Sequence, residues 1–142
     1  MVDDRSSILL KLASNDFIDK MKELNIQEVL VFGSILTDNF NEESDVDIAI
    51  LSAEKMPIKN VLNLEMFLED LLNRAIDVVD LNNDKLDIFV KIDILNTGKS
   101  IFSADNGESL NSLINSVDIY YKENEYYFSC RKRDVLSWMN KD

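Results

Sequence analysis

Val29-Leu30-Val31-Phe32-Gly33-Ser34, then ten residues, then Asp45-Val46-Asp47-Ile48-Ala49-Ile50-Leu51 is the stretch on which the fold turns. Val29–Phe32 is a β-branched and aromatic run that reads as a buried strand, stopped by Gly33-Ser34. Residues 35–44 hold Thr, Asp, Asn and Glu with few apolar side chains, and read as a short helical turn plus loop. From Asp45 the chain alternates: Val46, Ile48 and Ile50 point one way, while Asp45, Asp47, Ala49 and Leu51 point the other. A second strand therefore follows, with two aspartates at i and i+2 on one face.

Working outward, Leu10, Ala13, Phe17, Met21 and Leu24 recur at three- and four-residue steps and predict one amphipathic helix from Ser7 to Leu24. Pro57 opens another helix, where its missing N–H costs nothing, with Val61, Leu64, Leu68 and Leu71 as the buried stripe. Ile76-Asp77-Val78-Val79-Asp80 is a third strand. Asn82 or Asn83 can cap a helix carrying Leu86, Phe89, Ile92 and Leu95, and Gly98 would end it as a C′ glycine. Ile101-Phe102 adds an edge strand. From Glu108 onward Leu110, Leu113, Val117 and Tyr120 mark a last long helix, less regular past Asn124. The sum is an α/β (α+β) chain with a small mixed sheet and helices mainly on one face, read as a single domain over 1–142.

Composition narrows the chemistry. The chain contains no histidine and one cysteine, Cys130, which removes Ser-His and Cys-His catalysis, His-based zinc sites and any internal disulfide. Twenty-seven acids against fifteen bases give a net charge of −12, which repels a phosphate backbone and argues against DNA or RNA as the main substrate. With no apolar run near the ~20 residues a membrane helix needs, and no basic start of the signal-peptide kind at Met1-Val2-Asp3-Asp4-Arg5, the expected setting is cytoplasmic, without a membrane partner.

Two acids at i and i+2 on a strand place their carboxylates near enough to share a cation, as Asp45 and Asp47 would. In so acidic a chain that pair alone could be a solvated strand face, but two further features add to it. A glycine directly after a strand lets the backbone approach a ligand, and the N–H groups and hydroxyl of Gly33-Ser34 can cradle phosphate oxygens. Asp77, flanked by apolar residues, is costly unless its face opens on a polar cleft or a metal. Asp80 is the rival third acid. It has the opposite strand parity, and its position before a helix favours a cap or strand end. Arg131-Lys132-Arg133 reads as a solvated helix face, Cys130 as a semi-buried side chain, and the Tyr120-Tyr121 and Tyr126-Tyr127-Phe128 clusters as core or interface.

Phe32-Gly33-Ser34, ten residues, then Asp45-Val46-Asp47 resembles the signature of the polymerase-β-type nucleotidyltransferases in their minimal (MNT) branch. Ala75–Leu81 resembles the strand supplying that family's third acid, and Leu95-x-x-Gly98-Lys99-Ser100-Ile101-Phe102 resembles its later helix end and edge strand. The resemblance implies that Gly33 and Ser34 hold the triphosphate of ATP. It implies that Asp45 and Asp47 hold two Mg²⁺ ions, and that Asp77 joins them on the second, helping activate the attacking hydroxyl. The sequence departs from the family after Gly-Ser: Ile35-Leu36-Thr37-Asp38 stands where a basic residue and a glycine are common.

Domains of this size in the minimal branch resemble antitoxins encoded beside a HEPN ribonuclease toxin, which implies AMP transfer from ATP to a tyrosine of that partner. Two other readings remain open at this point. One is nucleotidyl transfer to a small cationic acceptor such as an aminoglycoside; the other is a binding-only antitoxin that has lost catalysis.

Overall fold

The computed structural model describes residues 4–139, with side chains over 5–133. The elements run α1 (Asp4–Lys11), α2 (Asn15–Glu23), β1 (Ile26–Phe32), a 3-10 turn (Gly33–Leu36), β2 (Val46–Ser52), α3 (Ile58–Leu72), β3 (Ile76–Asp80), α4 (Ile88–Thr97), β4 (Lys99–Ser103), α5 (Glu108–Glu123) and α6 (Glu125–Met139). The sheet has the order β3-β2-β1-β4 and is mixed: β1 is antiparallel to both β2 and β4, and β2 is parallel to β3. Two compact units are distinguished, one up to Leu110 and one from Asn111.

In the first unit, Val29 and Val31 of β1, Val46, Ile48 and Ile50 of β2, and Ile76 and Val78 of β3 form one core with Ile8, Leu12, Phe17, Met21, Leu64, Leu68 and Leu72 of the first three helices and the α1–α2 connection. Residues of alternate parity face the other way, and there burial depends on position along the strand. Ala49 and Leu51 are buried, whereas Asp47 is half-buried. The polar opening is thus confined to the start of β2 and β3 and the end of β1, the edge where Gly33 follows the strand. The exposed side of edge strand β3 is partly answered by α3, whose Glu65 accepts a hydrogen bond from Val78 N at 3.2 Å.

The single helix expected over Ser7–Leu24 is two. Ser14 caps the second, its hydroxyl accepting from Phe17 N at 3.3 Å, and the break shifts the buried stripe of α1 to Ile8 and Leu12. Leu10 is consequently 74% exposed, and Ala13 is exposed as well. The cap of α4 is Asp87, which accepts from Phe89 N at 2.8 Å, and not Asn82 or Asn83. Asn82 instead donates to Ser52 O at 2.6 Å, and Asn83 accepts from Lys85 N at 3.0 Å, holding the turns ahead of the helix. Of α4 only Ile94 is buried, while Leu86, Phe89, Ile92 and Leu95 are half-buried.

Gly98 adopts φ −65°, so it is not a left-handed C′ glycine. Its lack of a side chain has a packing reason: a Cβ would stand 2.5 Å from Ile94 O and 3.4 Å from Val31 O. The turns that follow α2 and α3 use left-handed asparagines, Asn25 and Asn73, residues whose short amide tolerates that region. In the second unit α5 breaks at Asn124, where α6 begins. Phe128 is buried there against Tyr121 (5.3 Å between ring centroids, stacked), Tyr127 (5.4 Å) and Tyr120 (5.7 Å), while Tyr126 is 83% exposed. Cys130 and Arg131 are half-buried, and Lys132 and Arg133 are exposed.

Candidate active site

Three strands converge on the candidate carboxylates. Phe32, the last residue of β1, lies opposite Asp47 on β2, and Asp47 lies opposite Asp77 on β3. A parallel pair in register places its side chains on the same face, so the i/i+2 reading of Asp45 and Asp47 and the parity of Asp77 bring all three acids to one side. Asp45, immediately before β2, and Asp77 are exposed; Asp47 is half-buried between strand neighbours. Burial, then the charge of Asp77, then that of Asp45 raise the Asp47 carboxyl above the ordinary aspartate value of 3.8.

Gly33 seals the other side of Asp47. Its φ is +76°, and a Cβ there would collide with the Asp47 carboxylate oxygen Oδ2. Glycine is required twice over, by backbone conformation and by space. The Ser34 carbonyl accepts from Thr37 N and Thr37 Oγ1, both at 2.9 Å, which closes the 3-10 turn. What the turn still offers a ligand is the N–H groups of its first residues and the half-buried Ser34 hydroxyl. Leu36, 40% exposed, and the exposed Asp38 bring no positive charge to this edge.

Asp80, the rival third acid, is on the core-facing side and only 7% exposed. Its Oδ2 accepts from Met56 N at 2.7 Å and its Oδ1 from Asn82 N at 2.9 Å, so it fastens the segment before α3 to the end of β3. The structure therefore brings Gly33, Ser34, Asp45, Asp47 and Asp77 to one edge and leaves Asp80 out.

No pattern in the sequence points to what holds the loop between Ser34 and Asp45. Arg74 Nη1 donates to Asn41 O and to Ser44 O, each at 2.7 Å, and its guanidinium lies 4.6 Å from the Phe40 ring centroid. Arg5 lies 5.8 Å from the same ring and donates to Thr37 O. Each such cation–ring contact contributes on the order of 0.5–1 kcal/mol at a partly exposed site. These partners are thirty or more residues apart in sequence, beyond the reach of any periodicity or spacing rule.

The donor set suits a hard divalent cation: three carboxylates, no sulfur or imidazole, and mutual repulsion that a positive charge would relieve. Among the described residues no three acidic, histidine or cysteine side chains are drawn in tightly enough to form a ready-made metal cage.

A four-stranded mixed sheet with a glycine-serine turn leading off its end and aspartates gathered beside it defines a nucleotidyltransferase fold. Residues 15–107 match the family described as Polymerase beta, Nucleotidyltransferase, and the chain belongs to that family. Curated protein sequences gave no significant match. Among solved structures, a chain of a toxin–antitoxin pair crystallised with AMP-PNP superposes with TM-score 0.63 at 21% identity, covering 86% of this chain and 97% of that one. A chain of the MntA–HepT toxin–antitoxin pair gives TM-score 0.56 at 20% identity, over 94% and 97% of the two chains. One from the complex of tri-AMPylated Shewanella oneidensis HEPN toxin with MNT antitoxin gives 0.58 at 20%, over 89% and 98%. At these identities the likeness is one of fold. No helix among the described residues is long and apolar enough to cross a membrane.

Proposed function

We propose that this chain is a Mg²⁺-dependent protein adenylyltransferase that moves AMP from ATP to a tyrosine of a HEPN-type partner and acts as that partner's antitoxin, working as one minimal domain. The observation that carries the reading is the facing of Asp47 and Asp77 across adjacent strands, with Asp45 two residues before Asp47 and Gly33 packed against it. The family membership supports nucleotidyl transfer. The choice of acceptor is supported by fold neighbours described with AMP-PNP and with an AMPylated HEPN toxin.

In this reading Asp45, Asp47 and Asp77 hold two Mg²⁺ ions, which neutralise phosphate charge and lower the barrier to displacement at phosphorus. The N–H groups and hydroxyl of Gly33-Ser34 cradle the triphosphate. The tyrosine oxygen forms the new bond to the α-phosphorus, the bond from that phosphorus to its bridging oxygen breaks, and pyrophosphate leaves with that electron pair. Asp77, exposed at the edge, takes up the hydroxyl proton in this reading. With Leu36 where a cation is common in the family, the triphosphate rests on metal and turn. Leu36→Arg is expected to tighten ATP binding by about tenfold through a charge-assisted contact.

The test is incubation of the native protein with ATP, Mg²⁺ and a HEPN protein encoded beside it, followed by peptide mass analysis. The expected result is one AMP added to a tyrosine peptide of the partner, abolished by chelation of divalent metal. Label on a small cationic acceptor, or neutralisation of the partner without transfer, would replace this reading with one of the other two.

A further inference from the structure

We infer that Arg74 is a positioning residue for Asp45: it fixes the backbone on which that carboxylate is presented, and so sets the metal affinity of the site without touching metal or nucleotide. The inference rests on the transferase reading of the carboxylates given above. Asp45 belongs to no strand or helix; it is the residue between an irregular loop and β2. Both of its neighbours are held by the turn before β3. On one side the Arg74 guanidinium donates to Ser44 O at 2.7 Å, and on the other Val46 N donates to Ala75 O at 3.0 Å.

The segment before Asp45 is a closed turn. Ser44 N donates to Asn41 O at 3.1 Å, Asn41 N donates to Ser44 Oγ at 3.0 Å, and Glu43 N donates to Asn41 Oδ1 at 2.8 Å. Arg74 binds the two carbonyls that this turn presents, Asn41 O and Ser44 O, so the turn is fastened as one body. The guanidinium also lies over the Phe40 ring, 4.6 Å from its centroid, a face contact that suits its flat, delocalised charge better than a lysine ammonium. Arg74 in turn is aimed by Asn73, whose left-handed backbone (φ 53°) ends α3. Two residues beyond Ala75 the same segment delivers Asp77. The spacing between Asp45 and Asp77 is therefore referred to one short stretch, residues 73–77, through a guanidinium on one side and a strand hydrogen bond on the other.

The experiment measures Mn²⁺ binding by electron paramagnetic resonance, and backbone hydrogen exchange, on the native protein, Arg74→Gln, Arg74→Lys, Asp45→Asn and the Arg74→Gln/Asp45→Asn pair. Arg74→Gln is expected to weaken Mn²⁺ by about tenfold or more, the usual cost of losing a group that orients a ligand. Exchange should accelerate over residues 41–46 while β1–β3 stay protected. Arg74→Lys should fall between the two, and added guanidinium should restore part of the Arg74→Gln loss.

Because Arg74 acts through Asp45, the double substitution should weaken Mn²⁺ no further than Asp45→Asn alone. Additive losses, or unchanged Mn²⁺ affinity in a folded Arg74→Gln whose loop has loosened, would overturn the inference. Absence of Mn²⁺ binding by the native protein would overturn the transferase reading instead. The exchange data would then still decide whether Arg74 orders residues 41–46.

Discussion

The two faces of this sheet are made by the same strands and serve opposite ends. Under α1–α3 the side chains of Val46, Ile48, Ile50, Ile76 and Val78 are buried. On the reverse face the same strands begin with Asp47 and Asp77, and burial resumes only at Ala49 and Leu51. Asp77 and Asp80 condense the contrast into one five-residue strand, since three positions apart means opposite faces. Asp80 is inside because two backbone N–H groups meet its two oxygens. Asp77 faces a second carboxylate across the strand pair and stays exposed. The interior accepts an aspartate when donors satisfy it; the edge gathers aspartates whose charge remains to be compensated.

The comparison breaks if the two faces cannot be altered separately, and the largest expected effects test that directly. Asp47→Asn should lower AMP transfer by about a thousandfold, several kcal/mol of transition-state stabilisation, without lowering the melting temperature measured in the absence of divalent metal. Leu64→Ala, at a fully buried core position, should cost about 2–5 kcal/mol in denaturant unfolding with transfer per folded molecule unchanged. An Asp47→Asn protein that unfolds, or a stable Leu64→Ala protein that is inactive, would show the faces to be coupled.

Gly33 is where the faces meet, so Gly33→Ala should show both kinds of damage. The left-handed backbone costs about 1–2 kcal/mol for a residue with a Cβ. The Cβ must also displace the Asp47 carboxylate, so transfer should fall even in the folded fraction. Undiminished transfer would place Asp47 outside the reaction. Asp80→Ala sharpens the contrast from the other side. It leaves the N–H groups of Met56 and Asn82 unmet, at a cost of about 1–3 kcal/mol, and transfer by the folded protein should persist.

Most of the sheet was legible because its signals are local. Val29–Phe32, the alternation from Asp45 and the Ile76–Asp80 run are short, β-rich and bounded by turn residues, and each is a strand. Strand parity puts Asp77 and Asp80 on opposite faces, and the place of Asp80 before a helix marks it as the cap or strand end. The strand register that sets Asp47 opposite Asp77 was not legible, since it is a relation between distant segments. At α1 and α2 the three- and four-residue spacing of Leu10, Ala13 and Phe17 ran on through Ser14, whose capping hydroxyl restarts the helix and shifts the buried stripe of α1 to Ile8 and Leu12. At α4 the sequence offers Asn82 and Asn83 as caps ahead of Asp87, but the Asn82 side chain is tied to Ser52 O and that of Asn83 to Lys85 N, and Asp87 performs the role. The Arg74–Phe40–Arg5 clamp leaves no trace in the sequence: isolated arginines have no period, and besides the Phe40 ring their partners are backbone carbonyls that carry no residue identity.

The smallest expected effect concerns the charge of the edge itself. Burial first, then Asp77, then Asp45 raise the Asp47 carboxyl, so the folded protein holds that proton more tightly than the unfolded chain does. The stability linked to this proton is fully present below the ordinary value of 3.8 and is lost as pH rises through the raised folded value. At neutral pH the native protein has therefore lost it, whereas Asp47→Asn, neutral and of similar shape, keeps it. Without divalent metal the variant should melt slightly above the native protein at pH 7. The gap should close as pH falls through the raised value, and narrow with salt because the edge is half open to solvent. Mg²⁺ added at pH 7 should reverse the order, since only the native protein retains all three carboxylates for the ion to bind. A variant that melts below the native protein at pH 7 without metal would mean that the Asp47 carboxylate is held by stabilising donors, as Asp80 is, and the two faces would differ far less than their exposure suggests.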